Sequence, residues 1–360
     1  MRIGIPAEVM NNENRVSLTP QGAALLVRDG HEVLVQKGAG QGAGFADDKY
    51  AQAGATLVDS AAQAWGAELV IKVKEPQQAE YQFLREDLIL FTYLHLAADA
   101  ALTKELISSG TTAIAYETVT DARGTLPLLT PMSQVAGRLA VLEGAHHMMS
   151  VNGGSGKLLS GVPGTHPARV VVLGGGQVGA SAVAMAHGLR GEVTVLDLDS
   201  AVLQRFDDIY HGGVRTIISD PLSIEEELLE ADLVIGAVLV PGAAAPKLVK
   251  EDLVKRLKPG TVLVDVAIDQ GGCFENSRKT SHDNPTFEVH DTLFYCVANM
   301  PGAVANTSTR ALSSATLPYA RAIANGTLEE AFARFPGLEP GLMTRGGELL
   351  SEPVRAAHGL

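Results

Sequence analysis

Arg15, Lys74, His95 and Asp269 carry the charge and proton-exchange capacity that chemistry on a small acidic substrate requires. Arg15 offers a planar fork for bidentate carboxylate binding, Lys74 a point charge for a carboxylate or carbonyl oxygen, and His95 a group that exchanges protons near neutral pH. Asp269 follows the apolar run from Val262 to Val266, where a buried carboxylate would be costly without a purpose. It could order a water or ammonia, or orient His95. Each residue also has a plainer reading: Arg15 paired with Glu13 and Lys74 with Glu75 on the surface, His95 packed between Leu94 and Leu96, and Asp269 capping the turn at Gly271-Gly272.

A second set of residues speaks for a dinucleotide. Gly174, Gly176 and Gly179 form G-x-G-x-x-G between a strand ending at Leu173 and a helix carrying Val178, Ala182, Met185 and Leu189. The first glycine permits a tight turn, the second lets backbone amides approach a pyrophosphate, and the third lets helix pack on strand. Roughly 20 residues on, Asp197 ends the next strand, where a carboxylate accepts both hydroxyls of an adenosine ribose. With no neighbouring arginine, a 2′-phosphate would meet only like charge, which favours NAD over NADP. A glycine turn serving packing alone is the alternative. A nicotinamide implies hydride transfer, and the other part of the chain must then hold a small substrate and move a proton.

These residues need parallel strands to position them. Short β-branched runs alternate with helical patterns: Ile3 to Ile5, Glu32 to Val35, Leu69 to Val73 and Ile89 to Tyr93. Thr19 is the N-cap and Pro20 the first residue of the first helix, with Gly30 beyond its end. Lys74 and His95 then fall at carboxyl ends of strands, where such sheets bind ligands. Met132 to Met149 predicts one long helix carrying the chain between domains, and a glycine-rich connector leads to a second unit. There, strands run from Arg169 to Leu173, Val193 to Leu196, Leu233 to Ala237 and Val262 to Val266, with a helix opened by a Ser223/Glu226 capping box. Helices from Thr307 to Ile323 and Leu328 to Phe335 follow, with no strand-rich stretch after them. The expected fold is α/β, two doubly wound Rossmann-like domains with the nucleotide domain inserted between the two parts of the substrate domain: residues 1–130 and 306–360 for substrate, 131–305 for the dinucleotide.

Composition narrows the function classes. Of 360 residues, 46% are hydrophobic and 19% charged, which excludes intrinsic disorder. A net charge of -13 without basic clusters argues against nucleic-acid or anionic-membrane partners. No window approaches the ~20 apolar residues of a membrane-spanning helix, and the start, soon charged at Glu8, does not suit a secretory signal. Cys273 and Cys296 have neither disulfide-framework nor metal-knuckle spacing. The expectation is a cytoplasmic enzyme with no catalytic metal.

Arg2 to Glu8, Asn14-Arg15-Val16 with Thr19-Pro20, Lys72-Val-Lys74-Glu-Pro76, Met132-Ser-Gln-Val-Ala-Gly137-Arg138, Gly174-Gly-Gly176, Val264 to Cys273 and Ala298-Asn-Met-Pro-Gly302 together closely resemble the alanine dehydrogenase family. The likeness covers nearly the whole chain. It implies NAD-dependent reversible oxidative deamination of L-alanine to pyruvate and ammonium, in amino-acid catabolism, by a two-domain subunit of a homohexamer. Carried onto matching positions, Arg15 and Lys74 would clamp the substrate, and His95 and Asp269 would form the acid/base pair. The resemblance implies that Ser133, Gln177, Val178, Asp197, Ser219, Val238, Leu239, Arg278 and the runs Val266-Ala267-Ile268-Asp269 and Val297-Ala298-Asn299-Met300 surround the cofactor with Gly174, Gly176 and Gly179. One departure stands out: the family often has a basic residue five after the ribose-binding Asp, and this chain has Val202. The soluble NAD-binding subunit of proton-translocating transhydrogenase is similar in both domains, but typically shows Ala-Glu-Gln-Gly-Gly where this sequence has Ile268-Asp269-Gln-Gly-Gly-Cys273. A nucleotide sensor without turnover is a further alternative.

Overall fold

The computed structural model describes residues 1–238 and 245–359. In chain order the strands are β1 (Arg2–Ile5), β2 (Glu32–Gln36), β3 (Thr56–Val58), β4 (Leu69–Ile71), β5 (Ile89–Thr92), β6 (Thr112–Ala115), β7 (Arg169–Leu173), β8 (Glu192–Asp197), β9 (Arg215–Ile218), β10 (Leu233–Gly236), β11 (Val262–Asp265), β12 (Thr286–Val289), β13 (Thr292–Tyr295), β14 (Leu342–Arg345) and β15 (Glu348–Leu349). The chain divides into two compact units, one of Met1–Met132 with Gly302–Leu360 and one of Ser133–Pro301.

In the first unit the sheet order is β15-β14-β6-β5-β4-β1-β2-β3, parallel from β3 through β6, with β14 antiparallel on β6 and β15 antiparallel on β14. The second runs β12-β13-β11-β10-β7-β8-β9, with only β12 antiparallel. In each, the strand order reverses beside the first strand, between β1 and β4 and between β7 and β10, and chain ends there splay to opposite faces to leave a ligand crevice. The central strands are buried on both faces, as Ile3, Ile5, Val70, Val172 and Val264 show, which is why they read as continuous apolar runs rather than alternating ones. Two Rossmann-like α/β units are the result.

Local signals explain the elements nearest the site. Thr19 caps helix Pro20–Arg28, its Oγ1 accepting from Gly22 N at 3.2 Å. The helix Ala305–Ala324 pins the preceding loop: Val16 N donates to Thr309 Oγ1 and Thr19 N to Ser313 Oγ, each at 3.1 Å. Arg321 donates through Nε and Nη2 to the two oxygens of Asp29, at 2.6 and 2.9 Å, and fixes the other end. Chain from beyond residue 302 thus sets where Arg15 stands.

Three expectations are corrected. The capping box at Ser223/Glu226 is not what opens its helix; Asp220 is, accepting from Leu222 N and Ser223 N ahead of Pro221. An aspartate before a proline is the better cap because it satisfies two orphan donors at once. The long helix spans Thr130–His147 rather than 132–149. After the terminal helices, β14 and β15 do form, a short hairpin over Gly346 and Gly347 (φ +57° and +85°) that extends the first sheet.

Beneath the crevice of the first unit, Lys72 is fully buried and donates to Glu8 Oε2 at 3.0 Å and Glu80 Oε1 at 2.8 Å, while Glu8 Oε1 accepts from Val73 N at 2.7 Å. Removing one member of a buried ionic group strands the others. Lys72→Met should therefore lower unfolding free energy by about 3–5 kcal/mol in urea titration; a change below about 1 kcal/mol would contradict this anchoring role.

Candidate active site

In the first unit, Arg15 follows β1, Lys74 follows β4 and His95 follows β5, so all three stand at carboxyl ends beside the reversal of strand order. The plainer readings hold in part: Arg15 and Lys74 do pair with Glu13 and Glu75, but as largely buried rather than surface pairs, and His95, with 41% of its side chain exposed, is not a packed core histidine. Arg15 is 3% exposed, and its fork is engaged: Nε donates to Glu13 Oε1 at 2.7 Å, Nη2 to Glu13 Oε2 at 2.6 Å and Nη1 to Met132 Sδ at 3.1 Å. Burial alone would lower its pKa, but the Glu13 hydrogen bonds and charge reverse the sign and raise it. The result is a guanidinium locked in one orientation.

Glu75 joins the other two cations. Its Oε2 lies 3.5 Å from Lys74 Nζ and 3.2 Å from His95 Nδ1. Burial raises the Glu75 carboxyl, but the His95 hydrogen bond and the Lys74 charge outweigh it and hold it down at about 2. A carboxylate ionised at every physiological pH can only accept, so Nδ1 of His95 must carry the proton it donates. The lone pair of neutral His95 is therefore on Nε2. Burial would depress the His95 pKa, whereas the Glu75 hydrogen bond and the Glu117 charge raise it above its ordinary 6.5.

The backbone of His95 is itself unusual, with φ +51° and ψ +34° in the left-handed region. A non-glycine residue rests there only when surroundings hold it. Glu117 does so, its Oε1 accepting from His95 N at 2.7 Å and from Leu94 N at 3.2 Å. The Tyr93 ring stacks on the imidazole with centroids 5.9 Å apart, and its hydroxyl donates to Leu128 O at 2.6 Å. Arg15 lies near enough to Tyr93 for its charge to act on that hydroxyl. Arg15 and His95 thus stand on either side of one aromatic residue, Tyr93. Sequence reasoning missed Glu117 because its partners are backbone amides on another strand end, invisible to spacing.

In the second unit the glycine turn has the required geometry. Gly174 has φ +96°, and a Cβ there would meet Ala237 O at 2.9 Å; a Cβ on Gly179 would stand 1.8 Å from Gly174 O. At Gly176 nothing lies within 4 Å of that position, leaving the amides open to a phosphate. Gln177 and Val178 begin the helix Gln177–Gly188. Asp197 Oδ2 accepts from Gly175 N at 2.6 Å and Oδ1 from Asp199 N at 2.9 Å, while Ser219 N donates to Asp197 O at 2.9 Å. That arrangement fits a dinucleotide with its ribose at Asp197 and its pyrophosphate over the turn. Ser133 lies one turn before Gly137, where a Cβ would meet Val178 O at 2.1 Å, so its helix crosses against the glycine-turn helix.

The other expected cofactor residues follow strand ends. Val238 follows β10, its Cγ2 beside Gly174; Leu239 lies outside the described residues. Val266, Ala267, Ile268 and Asp269 form a short helix after β11. Val297, Ala298, Asn299 (φ +67°) and Met300 follow β13, and Arg278 stacks its guanidinium 4.2 Å over the Phe287 ring.

Asp269 needs correction. It is not the costly buried carboxylate: its side chain is 55% exposed, with Lys279 Nζ at 3.9 Å. The buried one is Asp265, which caps the helix through Ala267 N and accepts from Cys273 N, Phe274 N and Ser277 Oγ. Burial raises its pKa against those hydrogen bonds. Asp265 therefore takes the capping role and leaves Asp269 presented outward. Cys273 and Cys296 are both buried, as free thiols.

The family profile described as alanine dehydrogenase/PNT, N-terminal domain, matches residues 4–136, and that of the C-terminal domain residues 140–352. The chain is 55% identical to an alanine dehydrogenase of Mycolicibacterium smegmatis (98% of this chain, 96% of the relative) and 52% identical to one of Bacillus subtilis (98% and 94%). A solved L-alanine dehydrogenase superposes with TM-score 0.96 at 48% identity, covering 100% of this chain and 99% of the other. A transhydrogenase from Sinorhizobium meliloti superposes at 0.83 with 24% identity, over 98% and 99%, a likeness of fold alone.

The ion pair sets a stability window. Stability from Glu75 is present above its ordinary 4.5 and is lost as pH falls toward 2; that from His95 is present below 6.5 and is lost as pH rises through its elevated value. Both contributions are complete between those ordinary values. By imidazole NMR, His95 should titrate above 6.5 in the unsubstituted protein and lower in Glu75→Gln; an unmoved titration would remove Glu75 as its partner.

Proposed function

The chain belongs to the alanine dehydrogenase/PNT family, and on that premise we propose that it catalyses the NAD-dependent, reversible oxidative deamination of L-alanine to pyruvate and ammonium. The observation that carries the reading is the grouping of Lys74 and His95 on one ionised carboxylate, in a unit that also holds Arg15. The same reading takes NAD as cofactor, the cytoplasm as compartment and a homohexamer as assembly. The transhydrogenase alternative is less supported: the family profiles cover both, but the relatives at 52–55% identity are alanine dehydrogenases and the transhydrogenase match is a likeness of fold.

In this mechanism Arg15 and Lys74 bind the alanine carboxylate, each charge-assisted contact contributing roughly 1.5 to 3 kcal/mol. Their larger effect is orientation. When bound, NAD supplies a hydride acceptor for the α-carbon of alanine. Nε2 of His95, its lone pair exposed because Nδ1 is committed to Glu75, takes the proton of the water that adds to the iminium, and returns a proton to nitrogen as the carbinolamine collapses to pyruvate and ammonium. Asp269 is the second acid/base group of the proposal, and its exposed side chain is open to the surface of its unit. Because oxidation releases a proton overall, deamination is favoured by alkaline pH and amination by lower pH with high ammonium.

The direct test follows NADH absorbance with NAD and a panel of small L-amino acids, and in reverse with pyruvate and ammonium. Turnover of L-alanine in both directions is expected; no turnover in either would refute the assignment. His95→Ala should lower kcat by about a hundredfold or more while NADH still binds, and near-normal turnover would remove His95 from the chemistry.

A further inference from the structure

The adenosine end of the cofactor site holds a cation the sequence pattern did not lead us to expect. On helix Ser200–Tyr210, Val202, Arg205 and Phe206 share one face at spacings of three and four, and that face lies on the glycine turn. A Cβ on Gly175 would stand 2.5 Å from Val202 Cγ1 and 2.8 Å from Phe206 Cε2, and Arg205 Nη2 donates to Gly175 O at 3.0 Å. Gly175 N meanwhile donates to Asp197 Oδ2 at 2.6 Å. One residue therefore holds the ribose-site carboxylate by its N–H and a guanidinium by its carbonyl. The absence of a neighbouring arginine, inferred from the sequence, is corrected: it stands one helical turn beyond Val202.

We propose that Arg205 is a second determinant of cofactor choice, a cation placed to receive the 2′-phosphate of a phosphorylated adenosine ribose and masked by the single negative charge of Asp197. This rests on the dinucleotide reading of the second unit. The two side chains favour different ligands. A carboxylate accepts the hydroxyls of an unphosphorylated ribose and repels a phosphate, whereas a guanidinium binds phosphate through paired N–H donors. Asp197 prevails because backbone amides of Gly175 and Asp199 hold both its oxygens, while Arg205 sits exposed on its helix, with its guanidinium over the Phe206 ring 5.5 Å away and one hydrogen bond to the turn. The guanidinium has five N–H donors, so the bond to Gly175 leaves others for a phosphate. Preference for NAD over NADP then depends on one charge rather than on a pocket too small for the phosphate.

The test measures binding, not turnover, by calorimetry on the full chain with 5′-ADP and adenosine 2′,5′-bisphosphate. The unsubstituted protein should prefer 5′-ADP. Asp197→Ser should shift the ratio toward the bisphosphate by about tenfold or more, the worth of a charge-assisted phosphate contact. Adding Arg205→Ala should abolish that gain, with an unchanged thermal unfolding midpoint and circular dichroism spectrum as the control for folding, and adding Arg205→Lys should keep part of it, since the charge survives and the fork does not. A gain that persists in Asp197→Ser/Arg205→Ala would overturn the role of Arg205, as would no gain in Asp197→Ser. Failure of the unsubstituted protein to bind either nucleotide or NADH would instead overturn the dinucleotide reading itself.

Discussion

Glu75 is the constraint on which the chemistry of the first unit depends. A carboxylate shared by Lys74 and His95 cannot be protonated at working pH, because both neighbours stabilise its charge against the cost of burial. Its permanent charge then decides which imidazole nitrogen carries the proton, and so which one faces chemistry. The rest of the crevice is built to keep that geometry. Glu117 holds the strained backbone of His95, Tyr93 backs its ring, and the returning helix Ala305–Ala324 fixes the loop that leads from Arg15. Arg15 itself is kept charged and oriented by Glu13. These cations thus have carboxylate partners of their own, and on the proposed mechanism a substrate carboxylate would join charges already compensated, which favours alignment over raw affinity.

Both units apply one solution twice. Each places its functional groups where the strand order of a parallel sheet reverses, but the groups differ in kind. The first presents side-chain charge; the second presents backbone amides and shape. Gly174 and Gly179 are there because of close approach, since a Cβ at Gly179 would occupy the space of the Gly174 carbonyl. Asp197 adds the one charged feature, and its own oxygens are tied to backbone N–H groups. Below the first crevice the buried Glu8–Lys72–Glu80 group ties the segment before Lys74 to the loop after β1.

Periodicity and punctuation made much of this legible. The apolar runs of the central strands, the Thr19-Pro20 start and the glycine turn all lie where local sequence demands them, because their causes are local. What stayed hidden has distant causes. Glu13 and Glu75 are visible as neighbours in sequence, but only burial turns their bland pairing with Arg15 and Lys74 into orientation. Glu117 acts through amides of another strand end. Asp265 and Asp269 are two acids four residues apart, and only the turn of the chain shows that the first is the buried cap. The hairpin of β14 and β15 is too short to show a period, and Arg205 became a neighbour of Asp197 through the packing of a helix on Gly175.

The central claim is that the substrate carboxylate lies on Arg15 and Lys74 with Nε2 of His95 toward the reacting carbon. A crystal structure with NADH and oxamate, an unreactive analogue of pyruvate, examines it most directly. The account predicts the oxamate carboxylate hydrogen-bonded to both cations and its amide end within hydrogen-bond reach of His95 Nε2, with Nδ1 still on Glu75. Oxamate bound away from Arg15 and Lys74, or His95 turned so that Nδ1 faces the ligand, would contradict it.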